Sequence, residues 1–234
     1  MYVYGKNVVN ELLKNKKNIK KAFIYNDFSD SKIVDNLKYN KVDIKFMNRL
    51  ELDRLVDGNH QGIVVEIENY EYCDIDDLLK KENPLLVILD HLEDPHNFGA
   101  IIRTCEAAGV DGIIIPKNRS VDVNSTVMRT SVGALDNVKI AQVTNLKNTI
   151  NYLKSKGFWI VGTDMDGTNY QKIDYNGKMA IVTGSEGFGM SRIVKEACDF
   201  IATIPMRGSI NSLNASVATA LVVYEAVNQR TNEL

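Results

Sequence analysis

Three short stretches carry most of the polar residues whose setting among apolar neighbours points to chemistry. DHLEDPHNFGAIIRT (90–104) is a polar, proline-containing loop that delivers Asn97 and Arg103 near the start of a helix. TGSEGFGMSR (183–192) packs three glycines and one acid, Glu186, into a short span. IPMRGSINSLNAS (204–216) places Ser212 and Asn214 at a helix N-terminus. Together they describe a pocket with exposed backbone donors, one carboxylate, one guanidinium and apolar walls from Ile204, Met206 and Leu213. Such a lining suits a neutral purine ring and a thioether-like chain. It is not a phosphate cradle. No G-x-x-x-x-G-K-[ST] occurs, and no G-x-G-x-x-G follows the first strand of this region. The missing fingerprint argues against a nucleotide-dependent oxidoreductase.

Each feature also has a plainer reading. Gly184, Gly187 and Gly189 could make only a tight turn, Ser212 only a helix cap, and Arg103 only a surface contact. Asp90, His91, Glu93, Asp94 and His96 match no standard ligand spacing, so no metal is expected. His60 reads as a structural or RNA-facing residue at a strand entrance.

The elements that must position these loops alternate regularly. LLVILD (85–90), GIIIP (112–116), VKIAQV (138–143), FWIVGT (158–163), MAIVTG (179–184) and FIATIP (200–205) are short, nearly all-apolar runs. Runs of that kind fit central parallel strands covered on both faces. Helical patterns lie between several of them, at 97–109, 145–157 and 190–198. The first two end on Gly109 and Gly157, as helix C-termini often do. The stretch 212–230 reads as a long amphipathic helix with Leu213, Val217, Leu221, Tyr224 and Val227 on one face. The fold class is therefore α/β, with an open parallel sheet over 84–234 whose ligands collect at the carboxyl ends of the strands. Residues 1–70 form a smaller α/β unit. It has a helix around Val8, Leu12 and Leu13, strands at 22–26, 42–46 and 62–68, and a helix at 31–39. An acidic linker, 71–83, joins the two.

Composition bounds the partners loosely. The 234 residues are 44% hydrophobic and 25% charged, with a net charge of −2, ordinary for a globular protein. Five lysines, Lys14, Lys16, Lys17, Lys20 and Lys21, cluster tightly enough to meet RNA phosphates or to form a solvated turn. Three scattered cysteines without a CxxC pair fit a reducing compartment, and Cys105 reads as a small core residue. No apolar run is long enough for a membrane span or a signal peptide, so a cytoplasmic protein is expected.

At the three motifs the sequence resembles the SpoU (TrmH-like) branch of the SPOUT RNA methyltransferases. It lies near the bacterial large-subunit (23S) rRNA guanosine 2′-O-methyltransferases. NFGAIIRTCEAAG (97–109), IVTGSEGFG (181–189) and IPMRGSINSLNASVATAL (204–221) carry the likeness in the family's order and spacing. YGKNVVNELL (4–13), HQGI (60–63), SVGA (131–134) and TNL (144–146) extend it over nearly the whole chain. The resemblance implies a trefoil knot at the end of the parallel sheet and a ribosomal-protein-like N-terminal RNA-binding domain. It also implies S-adenosylmethionine bent within the knot and a homodimer with its sites near the interface. Backbone at Gly184, Ile204 and Leu213 would contact the cofactor, alongside Thr163, Glu186, Gly189, Met206 and Ser212. Asn97, Arg103, Glu186, Ser212 and Asn214 match the family's functional polar positions. RNA contacts would come from Arg103, the five lysines and His60. Phe188, Asn211 and Ala215 depart from the usual pattern and bear on substrate preference rather than on the reaction.

The implied reaction moves a methyl group to a ribose 2′-hydroxyl, most simply in rRNA, with tRNA as the alternative within the family. A non-catalytic RNA-binding protein is the alternative outside it. A guanidinium stays protonated at ordinary pH, so Arg103 suits a phosphate clamp that stabilises a developing alkoxide better than it suits a base. On this reading Glu186 holds the loop or the cofactor, with general base as its lesser role.

Overall fold

The structure, a computed structural model, describes residues 1–231. The last three residues of the expected catalytic domain, 232–234, lie outside the described residues. The chain divides into two units. One is Met1–Glu71 with Val123–Arg129, and the other is Tyr72–Asp122 with the remainder of the chain.

The first unit is a four-stranded sheet built from β1 (Tyr2–Tyr4), β2 (Ile19–Tyr25), β3 (Asp43–Met47) and β4 (Ile63–Ile67). Its order is β1-β4-β2-β3, with β2 and β3 parallel and β4 antiparallel to both of its neighbours. Helices α1 (Lys6–Lys14) and α2 (Ser31–Tyr39) bury Val9, Leu12, Ile33 and Leu37 against Ile24, Ile63 and Val65 of the sheet. A short α3 (Arg49–Asp53) contributes Leu52 to a second cluster with Phe23, Met47 and Val64. It is opened by a capping box in which Asn48 and Glu51 exchange hydrogen bonds of 3.0 and 2.9 Å. Strand β2 begins three residues before the expected Ala22, so Lys20 and Lys21 sit on a strand and not in a turn.

The second unit is a six-stranded, wholly parallel sheet. Along the chain run β5 (Leu85–Asp90), α4 (Pro95–Ala107), β6 (Gly112–Pro116), α5 (Ser125–Ser131, which belongs to the first unit through Arg129) and β7 (Ile140–Val143). They are followed by α6 (Leu146–Ser155), β8 (Trp159–Asn169), β9 (Met179–Gly184), α7 (Arg192–Ala197), β10 (Phe200–Thr203) and α8 (Ala215–Thr231). The sheet order is β10-β8-β9-β5-β6-β7. The chain thus winds outward from β5 in one direction, then resumes on its other side. The reversal falls between β5 and β9, and in open α/β sheets that point carries the ligand crevice. Every residue of β5, β6 and β9 is buried, which is why these strands read as unbroken apolar runs. Cys105 is fully buried in α4.

Two expectations fail for physical reasons. The stretch 71–83, expected as an acidic connector, belongs to the second unit from Tyr72 onward. Cys73 N–H donates to Ile140 O at 2.9 Å, and Leu78 is only 2% exposed in the core beneath β6 and β7. The charges that disguised the segment are spent in pairs, Asp77 with Lys80 at 2.6 Å and Asp111 with Lys81 at 2.5 Å. Leu78→Ala is therefore expected to cost about 2–5 kcal/mol in urea unfolding. A change of a few tenths would show the segment to be a free connector.

The second failure concerns α8, which starts at Ala215 and not near Ser212. It buries Ala215, Thr219, Val222, Val223 and Ala226. The stripe chosen from periodicity faces outward on the helix, with Val217, Leu221 and Tyr224 38–50% exposed. The helix has two apolar sides, and a period of 3.6 cannot say which one the sheet covers.

Candidate active site

The loops after β5, β9 and β10 meet at the sheet's switch point through one hydrogen-bonded triad. Asp94 caps α4, accepting from His96 N–H at 2.8 Å, and Pro95 occupies the first helical position. That start turns Asn97 inward, where it is 5% exposed. Asn97 Nδ2 donates to Glu186 Oε1 at 2.7 Å and to Asp94 Oδ2 at 3.1 Å. Asn214 Nδ2 donates to Glu186 Oε1 at 2.6 Å and to Asn97 Oδ1 at 3.0 Å. Asn214 Oδ1 in turn caps α8, accepting from Ser216 N–H at 3.0 Å and Ser216 Oγ at 2.6 Å. The cap leaves only the amide of Asn214 to face the acid, so helix start and carboxylate position are one feature. Both amides fall on Oε1, which keeps Oε2 out of the network.

The glycine loop shapes the wall behind the triad. Ser185 and Gly189 exchange backbone hydrogen bonds of 3.0 and 2.9 Å, closing a tight loop with Gly187 at φ +81° and Gly189 at φ +66°. A cavity of about 440 Å³ lies against it, within the range of cofactor sites. Thr163, Gly184, Glu186, Gly189, Ile204, Met206, Ser212 and Leu213 all line it, the eight residues expected around the cofactor. Thr163 Oγ donates to Val182 O at 3.1 Å, which ties the middle of β8 to β9. Ser212 lines the cavity and does not cap α8; Asn214 holds that position.

Asp164 also lines the cavity, and motif reading missed it. Its only signal is its place just after the apolar run 158–163, where the sequence alone would end a strand. Burial pushes its carboxyl up, but the Lys195 ammonium at 2.8 Å and the N–H groups of Met165 and Asp166 outweigh that and leave it below the usual carboxylate range.

Known proteins match this arrangement along the chain. A model described as the SpoU rRNA methylase family matches residues 84–224, and one for RNA 2′-O ribose methyltransferase substrate binding matches 2–73. The chain belongs to the SpoU methylase family. A TrmH family tRNA/rRNA methyltransferase of Bacillus subtilis, YacO, is 42% identical over 98% of this chain and 96% of its own length. Among solved structures, the SpoU methyltransferase AviRb of Streptomyces viridochromogenes in complex with AdoMet superposes with a TM-score of 0.84. It has 25% identity and covers 99% of this chain and 90% of its own. An AdoMet-bound rRNA methyltransferase of Sinorhizobium meliloti gives a TM-score of 0.76 at 26% identity, covering 100% of this chain and 87% of its own.

This SpoU enzyme does not bring every expected residue to the cavity. Arg103, expected beside Asn97, is exposed and absent from the lining. Six positions separate the two on α4, about 120° around the helix at 3.6 residues per turn, so they point to different sides. His60, expected to meet RNA, is 6% exposed. Its Nδ1 accepts from Gly62 N–H and its Nε2 donates to Asp53, both at 2.9 Å, so it secures the turn into β4. Lys14, Lys16, Lys17 and Lys20 are exposed. Lys20 pairs with Glu68 at 3.7 Å and Lys21 with Asp43 at 2.8 Å, so two of the five cations are partly neutralised within the unit. Among the described residues no helix is long and apolar enough to cross a membrane.

Proposed function

We propose that the chain transfers the methyl group of S-adenosylmethionine to a ribose 2′-hydroxyl of RNA, with a guanosine of large-subunit rRNA as the acceptor. The observation that carries this reading is the cavity itself. Backbone at Gly184 and Gly189, apolar walls at Ile204, Met206 and Leu213, and the triad-held Glu186 border one space. That donor set fits an adenine ring and a thioether chain, and Asp164 offers a carboxylate for the ammonium end. The bound cofactor would supply an electrophilic methyl on a sulfonium. The chain's own work is alignment and charge: Asn97 and Asn214 fix Glu186, and the glycine loop excludes water from one side. The matched N-terminal substrate-binding model supports an RNA acceptor, and the Sinorhizobium relative's name favours rRNA. The Bacillus relative's name carries tRNA as well, so tRNA is the second reading. A cytoplasmic place of action goes with either.

Homodimerisation belongs to the same reading. A groove between Ala100 and Thr104 of α4 and Val217, Leu221 and Tyr224 of α8 leaves an apolar stripe for a second copy. Arg103 lies on that part of α4, where pairing would carry it toward a partner's cavity. The threading of 204–214 through the loop after β9 as a knot is likewise proposed. It is supported by β10 at the sheet edge and by α8 packed back on α4 and β9.

The direct test is tritium transfer from labelled S-adenosylmethionine to RNA of a strain lacking the gene, split into large rRNA, small rRNA and tRNA. Label in alkali-resistant 2′-O-methylguanosine of large rRNA supports the full reading, and label in tRNA replaces the substrate. Cofactor binding without label in any fraction would move the acceptor to a ribosomal precursor. Failure to bind cofactor would return the chain to RNA binding alone. In that assay Arg103→Lys is expected to lose at least about tenfold in turnover, because the charge stays while the bidentate fork is lost. Near-normal turnover would sink the clamp.

A further inference from the structure

A second groove opens beside the cofactor cavity and contains a histidine for which the site described above has no use. His91 follows Asp90, the last residue of β5, and its backbone is left-handed at φ +58°. Asp90 is fully buried, and it stands in cross-strand register with Gly184. One carboxylate oxygen accepts from Ser191 N–H at 2.6 Å, and the other is hydrogen-bonded to His91 Nδ1. A carboxylate that accepts a hydrogen bond from Nδ1–H selects the tautomer whose Nε2 carries a free lone pair. The His91 side chain is 38% exposed. It lines a groove of about 600 Å³ with Glu93, Arg119, Glu186 and Phe188. Ser185, Glu186, Phe188 and Gly189 border both this groove and the cofactor cavity, so the two spaces share one wall.

The groove's rim suits a nucleotide. Phe188 is 95% exposed, an aromatic face open to a base. Arg119 is the groove's one guanidinium and can meet a phosphate. Of the polar groups already named for the reaction, Arg103 cannot accept a proton, and Glu186 is engaged by two amide donors at Oε1.

We propose that this groove receives the acceptor ribonucleotide and that His91 Nε2 takes the proton from its 2′-hydroxyl, with Asp90 steadying the imidazolium. The assignment rests on the methyl-transfer reading above. The ribose oxygen bonds to the methyl carbon as the carbon–sulfur bond breaks. The electron pair of that bond stays on sulfur, and the hydroxyl proton passes to His91. Positive charge moves from the sulfonium to the imidazolium, which sheds its proton to solvent through the groove. The charged groups sharing the groove are Glu93 and Asp94 on the loop of His91, Glu186 from the loop after β9 and Arg119 from the loop after β6. Asp90 lies beneath the ring. Cys198, which also feels the charge of Asp90, is pushed up to about 12, chiefly by burial, and stays a neutral thiol.

The test is His91→Asn. Asparagine tolerates left-handed backbone and can donate to Asp90 as Nδ1–H does, but it cannot carry the proton away. Single-turnover transfer to RNA is expected to fall about a hundredfold. The acid limb of the wild-type rate should vanish, while the cofactor Kd by calorimetry stays unchanged. A rate within threefold of wild type, with the limb intact, overturns the assignment. A second readout needs no turnover. With S-adenosylhomocysteine bound, guanosine 3′-monophosphate should shift the His91 ring nitrogens in NMR more than its 2′-deoxy counterpart does, leaving His60 and His96 still. No response at His91 overturns the groove. A response in a protein that methylates neither any RNA fraction nor a ribosomal precursor would support the groove as a ribonucleotide site and end the methyl-transfer reading.

Discussion

Asn214→Ala is expected to lower methyl transfer about a hundredfold and to destabilise the fold by about 1 kcal/mol. The two losses have one origin. Asn214 Oδ1 caps α8 through Ser216, while its amide holds Glu186 at 2.6 Å and Asn97 at 3.0 Å. Alanine frees the first turn of α8 and lets the carboxylate swing, and a shift of about 1 Å in a positioning group is enough for a hundredfold effect. Asn214→Asp separates the contributions. It keeps an oxygen for the cap, favoured at a helix N-terminus, but sets a second carboxylate against Glu186. Two acids at that distance share a proton, so their folded-state titration moves up. The penalty is therefore full at neutral pH and is relieved as pH falls through the raised value. Thermal melts at pH 5 and pH 8 read this directly. An aspartate variant as active as wild type would remove the triad from the mechanism.

The triad was legible in the sequence because each member interrupts apolar surroundings at the end of a strand. Asn97 precedes FGAII, Glu186 sits among glycines, and Asn214 opens an apolar helix. The parallel sheet was legible for the same reason, since strands buried on both faces leave no polar positions to confuse the pattern. The misses share a cause too. Periodicity reports that a face is apolar and not what covers it, and so the outward stripe of α8 was chosen over Thr219, Val222 and Ala226. The charges of 71–83 hid Leu78, since five acids outweigh two leucines in any composition count.

Distances through space were the other blind spot. His91 was visible only as part of a polar run whose spacing fits no metal. Its significance lies in the register that sets Asp90 beside Gly184, and register is a property of strand order. Arg103 shows the converse. A motif places it six residues from Asn97, yet helix geometry turns it away from the cavity that Asn97 helps to hold. Likewise β8 continues through the polar run DMDGTN to Asn169, because beyond Gly162 it pairs with β10 alone and most of those side chains face water.

Gly184→Ala is expected to weaken S-adenosylmethionine binding about a hundredfold, more than any other glycine change in the loop. A Cβ at 184 would stand 2.0 Å from Gly189 C and 2.2 Å from Met190 N. These are backbone atoms, so no side-chain rotation can make room. Nor can the loop yield alone. Ser185 and Gly189 hold each other by two hydrogen bonds, and Ser191 N–H is fixed to buried Asp90 at 2.6 Å. Relief must come by moving the whole 185–191 loop, which forms a wall of the cofactor cavity. Overpacking of this kind costs about 3 kcal/mol at the upper end, equivalent to roughly a hundredfold in Kd. Two controls isolate the cause. A Cβ at Gly208 meets nothing within 4 Å, and its φ is not in the left-handed region, so Gly208→Ala should bind normally. Gly187 is also open but has φ +81°, so Gly187→Ala should lose only the cost of strained backbone, about 1 kcal/mol. Calorimetric titration ranks the three. If Gly184→Ala binds as well as Gly208→Ala, the close approach of β9 to the loop is not what shapes the cofactor site.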